Sequence, residues 1–433
     1  MNILKEVLKY EVFPALGCTE PIAVAFACAA AGKEAEDGIL NLEIKVDPGI
    51  FKNGFAVSVP NTDGGKGNLI AGALGALIGR PELEMEILKA SEPILLEKAR
   101  KMIEEERAHI TYDPEKTDLY LEASVTDGKG NVIRALVESS HTNLVLLEKN
   151  GETIFTADET NAAEKVHEKG YKEILKEMRI SDFIKIAEEM DDEDYEYVKS
   201  GIAMNLEVSQ AGRELKKVGY YIANLKDKGL IEDDIFASSK ILTASASDAR
   251  MAGLSYPVMS SGGSGNQGTV AILVPYSVGK YYKISEDKIV RSIALSHLVN
   301  SYIKCYTGQL SPLCGCAIAA GVGAAAAIVY QLCGNDENKI TLAVNNLISD
   351  LGGMLCDGAK GGCALKVASS TDSAIRSAYM ALNNHGITYT DGFVGKTAEE
   401  TILHLSEISK YGMSGVDSTM LSIMLAKTDK GNV

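Results

Sequence analysis

The feature that most constrains the fold is a run of small and apolar residues with a pair of cysteines at each end. Cys314 and Cys316 precede the run, and Cys356 and Cys363 follow it in a loop that is rich in glycine. Glycine allows the backbone to approach a bulky group closely. Residues 317–332 are fewer than the roughly 20 that cross a bilayer, so we expect them to form a buried core helix.

Thiolate is a soft ligand, and cysteines in two close groups can bind an iron–sulfur cluster. Three of them would hold a [4Fe-4S] cube and leave one iron without a protein ligand. Zinc is the main alternative, but structural zinc sites usually carry Cys-x2-4-Cys pairs on a small domain, whereas Cys316 and Cys356 are about 40 residues apart. A set of buried thiols without metal is a further alternative. Cys314 and Cys316 can both face a cluster only from a non-helical turn.

The chain has 433 residues, a formal net charge of -16 and a pI near 5.0. This length allows two or three domains, because single cores stop growing near roughly 250 to 300 residues. An acidic chain without long basic runs argues against nucleic acid and anionic membranes as partners. The first residues do not form a signal sequence, so we expect a cytoplasmic protein with reduced thiols. We expect three cysteines in apolar segments to be core thiols: Cys28, Cys305 and Cys333.

Hydrophobic patterns predict an α+β protein. Alternation predicts strands at 42–46, 55–59, 119–125, 132–138, 142–148 and 152–155, with a turn at 47–49 and helices at about 67–78 and 93–107. Asn150 and Gly151 indicate a hairpin between the last two strands. We therefore predict that residues 39–157 form an α+β domain with helices on one face of an antiparallel sheet.

Residues 158–433 carry helical patterns and predict a larger, mainly helical domain. Two helices are expected within 182–229, and one each at 240–251, 286–305, 317–332, 337–351, 369–383 and 396–410. Residues 270–274 fit either a strand or a helix. Residues 1–38 are predicted to form an N-terminal helical segment that packs on the helical domain.

Two residues outside the cysteine pairs are candidates for chemistry. Cys18 lies just before a predicted helix that Thr19 would cap, and the free N–H groups of a helix start stabilise a thiolate. Cys18 is therefore a candidate nucleophile or base. His141, at the start of a predicted strand, could orient a substrate or donate a proton, and a structural histidine is an equal alternative.

A glycine-rich loop precedes residues 270–274 and resembles a phosphate-binding loop only loosely. If a helix begins near Gly268, its free N–H groups would form a pocket for a carboxylate. A flexible surface loop is the alternative. No lysine has a context that suits pyridoxal phosphate (PLP). The candidate binding residues are Ser261, Gly262, Gly263, Ser264 and Asn266.

Five segments carry motifs that occur together: Gly17–Pro21, Ser139–Asn143, Met259–Asn266, Ser311–Cys316 and Cys356–Lys366. In this combination the chain resembles the L-cysteine desulfidase family, which is related to the alpha chain of iron–sulfur L-serine dehydratases. The resemblance implies that the helical second half is catalytic and that Gly268–Val274 begins a helix.

The resemblance also implies the ligands of a [4Fe-4S] cluster: Cys356, Cys363 and one of Cys314 and Cys316. It implies a catalytic role for Cys18. Some serine dehydratases close the fourth iron position with a cysteine near the C-terminus, whereas this chain ends Lys430-Gly431-Asn432-Val433. We therefore expect that iron position to be open.

The implied reaction is α,β-elimination from L-cysteine to sulfide, pyruvate and ammonia, without PLP. Cys18 would be the base that takes the Cα proton, assisted by Thr19 or His141, and residues 261–266 would bind the substrate carboxylate. Serine dehydration is the nearest alternative, and a non-catalytic iron–sulfur redox sensor is a more distant one. We expect a small amino acid as substrate, neither nucleic acid nor membrane as partner, and a homo-oligomer.

Overall fold

The computed structural model describes residues 1–116, 119–157, 170–308 and 310–428. Residues 430–433, on which the expectation of an open iron position depends, lie outside these ranges. The strands are β1 (Pro14–Leu16), β2 (Ile39–Val46), β3 (Ala108–Tyr112), β4 (Tyr120–Asp127), β5 (Val132–Glu138), β6 (Leu144–Lys149), β7 (Glu152–Thr156) and β8 (Pro257–Met259).

Helices make up most of the rest. The first group is α1 (Ile3–Glu11), α2 (Thr19–Lys33), α3 (Pro48–Asn53), α4 (Asn68–Ile78) and α5 (Pro93–Glu104), with a 3-10 segment at Pro81–Ala90. The second group is α6 (170–177), α7 (Ile180–Glu188), α8 (Asp192–Arg213), α9 (Val218–Asp227), α10 (Ile235–Met251) and α11 (Gly265–Tyr281). The third group is α12 (Glu286–Thr307), α13 (Ala319–Cys333), α14 (Glu337–Leu351), α15 (Cys363–Leu382), α16 (Ala398–Glu407), a π-helical turn (Ile408–Gly412) and α17 (Val416–Thr428).

A six-stranded sheet has the order β3-β2-β4-β5-β6-β7. Its neighbouring strands are antiparallel except for β2 and β3, which are parallel. Alternate residues of β4 and β5 are buried beneath α2, so helices cover one face. Asn150 and Gly151 both have positive φ, 54° and 81°, as a two-residue hairpin of type I′ requires. The α+β class and the hairpin are confirmed, while β3 and its parallel pairing were not predicted.

Three local predictions were wrong. Residues 55–59 are not a strand and make a single bridge, between Ser58 and Lys66. Residues 47–49 start α3 rather than a turn, because Asp47 accepts the N–H groups of Gly49 and Ile50 and a proline follows it. Residues 182–229 contain parts of three helices rather than two, because the Asp191 carboxylate caps the start of α8 at Asp194.

The buried residues form two large hydrophobic cores. One lies between the sheet and α2 and α4, and the other is built by the helices of the second half around α13. As predicted, residues 319–331 of α13 are buried. α1 packs in the helical core and α2 in the sheet core, so the N-terminal segment joins the two; the division into three domains stays a prediction. Within the described ranges, no helix is both long and apolar enough to cross a membrane.

A short two-stranded sheet brings the N-terminal segment to the glycine-rich loop. β1 pairs antiparallel with β8, with Pro14 opposite Met259. The N–H group of Ser260 then donates to the carbonyl of Phe13 at 2.9 Å. Through this pairing, the start of α2 lies beside the loop that leads into α11.

Candidate active site

The two cysteine-bearing loops pair with each other. Leu313 and Leu355 form an antiparallel bridge. The N–H of Cys314 donates to the carbonyl of Met354 at 2.9 Å, and the N–H of Cys356 donates to that of Pro312 at 2.7 Å. Residues 315–318 form a turn before α13, as an i, i+2 pair facing one site requires. The backbone thus brings Cys314 and Cys356 to diagonal positions across one bridge although α13 and α14 separate them in the chain.

Both loops and the start of α2 line one small cavity of about 80 Å³. Eight of the residues singled out in the sequence lie on it: Cys18, Thr19, Ser264, Asn266, Cys314, Cys316, Cys356 and Cys363. Seven polar residues that sequence reasoning did not assign to the site also line it: Glu20, Asn53, Arg250, Gln267, Lys304, Ser311 and Lys366. Cys18 and Cys363 share a small apolar cluster with Met251 and Val57.

The chemistry of the donor set fits an iron–sulfur cluster. Within the described residues, no three His, Cys, Asp or Glu side chains are placed to hold a metal ion. The thiolates of an iron–sulfur cube bind different irons, so they need not converge on one point. All four cysteines are free thiols on the same cavity. Their soft donor chemistry and shared location fit the [4Fe-4S] group.

The ionisation of these thiols depends on burial and on their neighbours. The hydrogen bond with Cys316 lowers the pKa of Cys314 to about 6, against the effect of burial. The same bond and burial raise the pKa of Cys316. Burial raises the pKa of Cys363 to about 11. Lys366, which pairs with Asp357 at 2.5 Å, adds positive charge that favours the thiolate of Cys314.

The loop that carries Cys356 and Cys363 is seated against the end of α3. Gly358 has φ 87°, and a Cβ atom there would lie 2.3 Å from the carbonyl oxygen of Lys52. The next residue, Ala359, donates its N–H to the carbonyl of Asn53 at 3.2 Å. Glycine is therefore required at position 358 both for backbone conformation and for space.

Cys18 itself, rather than Thr19, occupies the N-cap of α2, and its side chain does not cap the helix. Its thiol donates to the Oε2 atom of Glu20 at 2.8 Å. Burial, and then the charge of Glu20, raise the pKa of Cys18 well above its usual value. A neighbouring carboxylate and loss of solvent therefore act against the thiolate that the free N–H groups of a helix start would favour, and the role of Cys18 stays a prediction.

Glu20 is the residue that sequence reasoning missed most clearly. It is 7 % exposed and also accepts hydrogen bonds from Thr19 Oγ1 at 3.2 Å and from Asn53 Nδ2 at 3.3 Å. Burial acts to raise the pKa of Glu20, but the charge of His141 and the bond from Cys18 outweigh it and lower the pKa. In the sequence, an acid in the first helical turn is too common to indicate such a role.

Only some of the candidate binding residues of the glycine-rich loop line the cysteine cavity. Ser261 does not line the cavity, because its hydroxyl is bonded to His297 Nδ1 and Asn300 Nδ2, both at 2.8 Å. Gly262 and Gly263 do not line it either. α11 begins at Gly265, earlier than the predicted start near Gly268, so Ser264 and Asn266 face the cavity from its first turn. The helical interpretation of residues 270–274 is confirmed.

His141 lies in the turn before β6 rather than at the start of a strand, and it faces a neighbouring cavity of about 510 Å³. Gly263 lines the same cavity. Burial lowers the pKa of His141, and among the described residues its buried Nε2 atom has no hydrogen-bond partner. His141 is near enough to Glu20 to act on it electrostatically, but it does not line the cysteine cavity.

Two cations reach the cavity from separate helices, and no motif in the sequence signalled them. Arg250, on the last turn of α10, is 3 % exposed, and its Nη1 atom donates to Asn266 Oδ1 at 2.7 Å. Lys304, on α12, is 7 % exposed, and burial lowers its pKa to about 8.

The prediction that Cys333 is a buried core thiol was wrong, because this residue ends α13 and is exposed. Cys305, which was also predicted to be a core thiol, is half-buried.

Residues 93–422 match the family model described as the serine dehydratase alpha chain. A UPF0597 protein of Geobacter sulfurreducens is 58% identical over 427 residues, which cover 99% of each chain. A UPF0597 protein of Elusimicrobium minutum is 52% identical, and the match covers 99% of this chain and 100% of the relative. A UPF0597 protein of Clostridium tetani is 40% identical, and the match covers 98% of each chain. The match supports a lyase of the serine dehydratase type. This chain belongs to the family of the serine dehydratase alpha chain, and is thereby related to the iron–sulfur enzymes.

Proposed function

We propose that this protein catalyses α,β-elimination from L-cysteine and releases sulfide, pyruvate and ammonia. The observation that carries the proposal is the location of Cys18, which lines the same cavity as the four cysteines of the distant loops. A proton-transfer group and a set of soft metal ligands are thus within reach of one small substrate. The buried polar groups of Asn266 and Arg250 on that cavity, with the partly buried Ser264 beside them, suit a charged amino acid.

The cluster would be held by Cys356, Cys363 and one of Cys314 and Cys316, with no PLP. When bound, a [4Fe-4S] cluster with an open iron position supplies a Lewis acid for the departing sulfur. The protein's own part is to hold these thiols together through the bridge of Leu313 and Leu355, and to shield the site from bulk water.

Proton transfer is assigned to Cys18 and Glu20 together. Elimination requires a base for the Cα proton, and a thiol with a raised pKa cannot act alone. Glu20 is placed to take the Cys18 proton along the 2.8 Å hydrogen bond while the sulfur receives the proton from Cα. Thr19 and Asn53 hold the carboxylate of Glu20 in position for this transfer.

Serine dehydration is the second candidate, because the matching family model is that of the serine dehydratase alpha chain. The same residues would serve a hydroxyl leaving group, and the ratio of kcat/KM for L-cysteine and L-serine decides between the two substrates. The homo-oligomeric state stays a prediction.

The test is to purify the protein anaerobically, measure iron and sulfide content, and assay product formation from both amino acids. We expect about four irons per chain, sulfide and pyruvate from L-cysteine, and slower formation of pyruvate from L-serine. A fully iron-loaded protein that releases no pyruvate from either amino acid contradicts the elimination reaction. Protein that binds no iron under these conditions contradicts the cluster.

A further inference from the structure

The positive charge of Arg250 distinguishes it from the other cations on the cavity. Lys366 pairs with Asp357, and Lys304 interacts electrostatically with Glu11. Within the described ranges, no carboxylate forms an ion pair with Arg250. Glu20 is near enough to act on it electrostatically, but the oxygens of Glu20 accept hydrogen bonds from Cys18, Thr19 and Asn53.

The guanidinium also has unused hydrogen-bonding capacity. One Nη atom donates to Asn266 Oδ1 at 2.7 Å and the other to the carbonyl of Gly17, but the buried Nε has no partner among the residues that the structure describes. A guanidinium carries five N–H donors in a fork that suits a carboxylate. The thiols of Cys18, Cys316 and Cys363 lie near enough to act on this charge, but the unused N–H donors of the guanidinium remain available at the cavity. A buried cation with free donors beside a cavity suits an anionic ligand that accepts hydrogen bonds.

The first turn of α11 provides a second group of donors beside Arg250. Ser264 and Asn266 line the cavity there, and the first N–H groups of any helix have no partner within the helix. Gly265 allows the contact, because a Cβ atom at that position would lie 2.4 Å from Cζ of Arg250. A helix start of this length and a guanidinium together form a site for a carboxylate.

We propose that Arg250 and the first turn of α11 bind the α-carboxylate of the substrate, so that the site accepts small amino acids with a free carboxylate and rejects amides. This inference rests on the proposed function for the identity of the ligand. It makes Arg250 a substrate-binding residue that selects a chemical class of substrate, whichever leaving group the enzyme prefers.

Binding of L-alanine, which has no leaving group, tests the carboxylate site separately from catalysis. Isothermal titration of the anaerobically purified protein should show that L-alanine binds at least about tenfold more tightly than L-alaninamide. Arg250→Gln should weaken L-alanine binding by about tenfold or more, because charge-assisted hydrogen bonds are lost. Arg250→Lys keeps the charge but not the fork and should weaken it less.

Arg376→Gln is the matched control, because this exposed arginine pairs with Asp350 on the surface; it should bind L-alanine as the wild type does. Circular dichroism checks that the Arg250 variants are folded. Binding of L-alanine that is unchanged in both Arg250 variants, or equal binding of the amide by the wild type, overturns the inference. If L-alanine binding depends on Arg250 but the protein converts neither cysteine nor serine, the result supports the carboxylate site and contradicts the elimination reaction.

Discussion

At the scale of single residues, the pair of Cys18 and Glu20 decides how the site can work. A cysteine at a helix start usually gains thiolate character from the free N–H groups. Here the Sγ–Oε2 hydrogen bond of 2.8 Å and burial have the opposite effect on its pKa. Both effects favour the protonated thiol, which donates to Glu20.

Replacing Cys18 by Ser should abolish most of the elimination activity while the iron–sulfur absorbance is retained. The expected fall in kcat is about a hundredfold or more, the usual effect of losing a general acid or base. Visible absorbance, iron content and pyruvate formation are measured on the same anaerobic sample. Cys28→Ala is the matched control, because this buried thiol lies on the same helix but in the sheet core, and the variant should stay active. Loss of the cluster in Cys18→Ser would make Cys18 a ligand and contradict its assigned role.

At the scale of elements, the site depends on loops rather than on the helices that carry them. The bridge between Leu313 and Leu355 aligns the two cysteine loops. The loop that carries Cys356 and Cys363 also contacts the end of α3, through the hydrogen bond from Ala359 to Asn53. Short backbone contacts of this kind set the distance between ligands more firmly than flexible side chains do. Metal binding should therefore respond to changes in the loop backbone that leave every cysteine in place.

Gly358→Ala tests the seating of this loop on α3. The positive φ of Gly358 disfavours alanine by roughly 1–2 kcal/mol, and its Cβ would overlap the carbonyl of Lys52. We expect iron content to fall by at least about half and the melting temperature to fall by several degrees, measured by iron analysis and calorimetry. At Gly361 in the same loop, a Cβ atom meets nothing within 4 Å, so Gly361→Ala should behave as the wild type. Equal iron content in both variants would show that the loop adapts.

At the scale of the whole molecule, the N- and C-terminal parts of the chain meet around the site. α17 packs on α3, and its Leu421 is buried in the core beneath the sheet. The side chain of Lys52, 1% exposed, pairs with Asp417 of α17 at 2.6 Å. The backbone carbonyl of Lys52 packs against Gly358, so Lys52 contacts both the C-terminal helix and the loop that carries Cys356 and Cys363.

Asp417→Asn should therefore destabilise the protein by about 1–3 kcal/mol, because it leaves a buried ammonium without its partner. Urea unfolding at pH 7 measures the free energy of unfolding. Asp350→Asn breaks an exposed pair with Arg376 and should change stability by less than about 0.5 kcal/mol. If the free energy of unfolding falls equally in both variants, the packing of the C-terminal helix does not depend on the pair between Lys52 and Asp417.

The sequence by itself indicated most of the local elements and the chemistry of the candidate ligands. Periodicity predicted the helices of the second half, and Asn150 with Gly151 predicted the hairpin, because both signals depend on neighbouring residues. The four clustered cysteines indicated soft metal ligands through their side-chain chemistry and spacing alone. The alternation of residues 55–59 predicted a strand wrongly, because Val57 and Val59 are buried by packing while the segment makes only the bridge between Ser58 and Lys66 among the described residues.

Only the tertiary structure decided which groups share the cavity and how they ionise. Arg250, Lys304 and Glu20 come from three helices and carry no motif, so their convergence follows from packing. The same packing directs the Ser261 hydroxyl to His297 and Asn300, away from the cavity that the cysteines line. The pKa of Cys18 depends on solvent exclusion and on a carboxylate 2.8 Å away, neither of which helix position reveals. Long-range proximity and desolvation are properties of the folded chain as a whole.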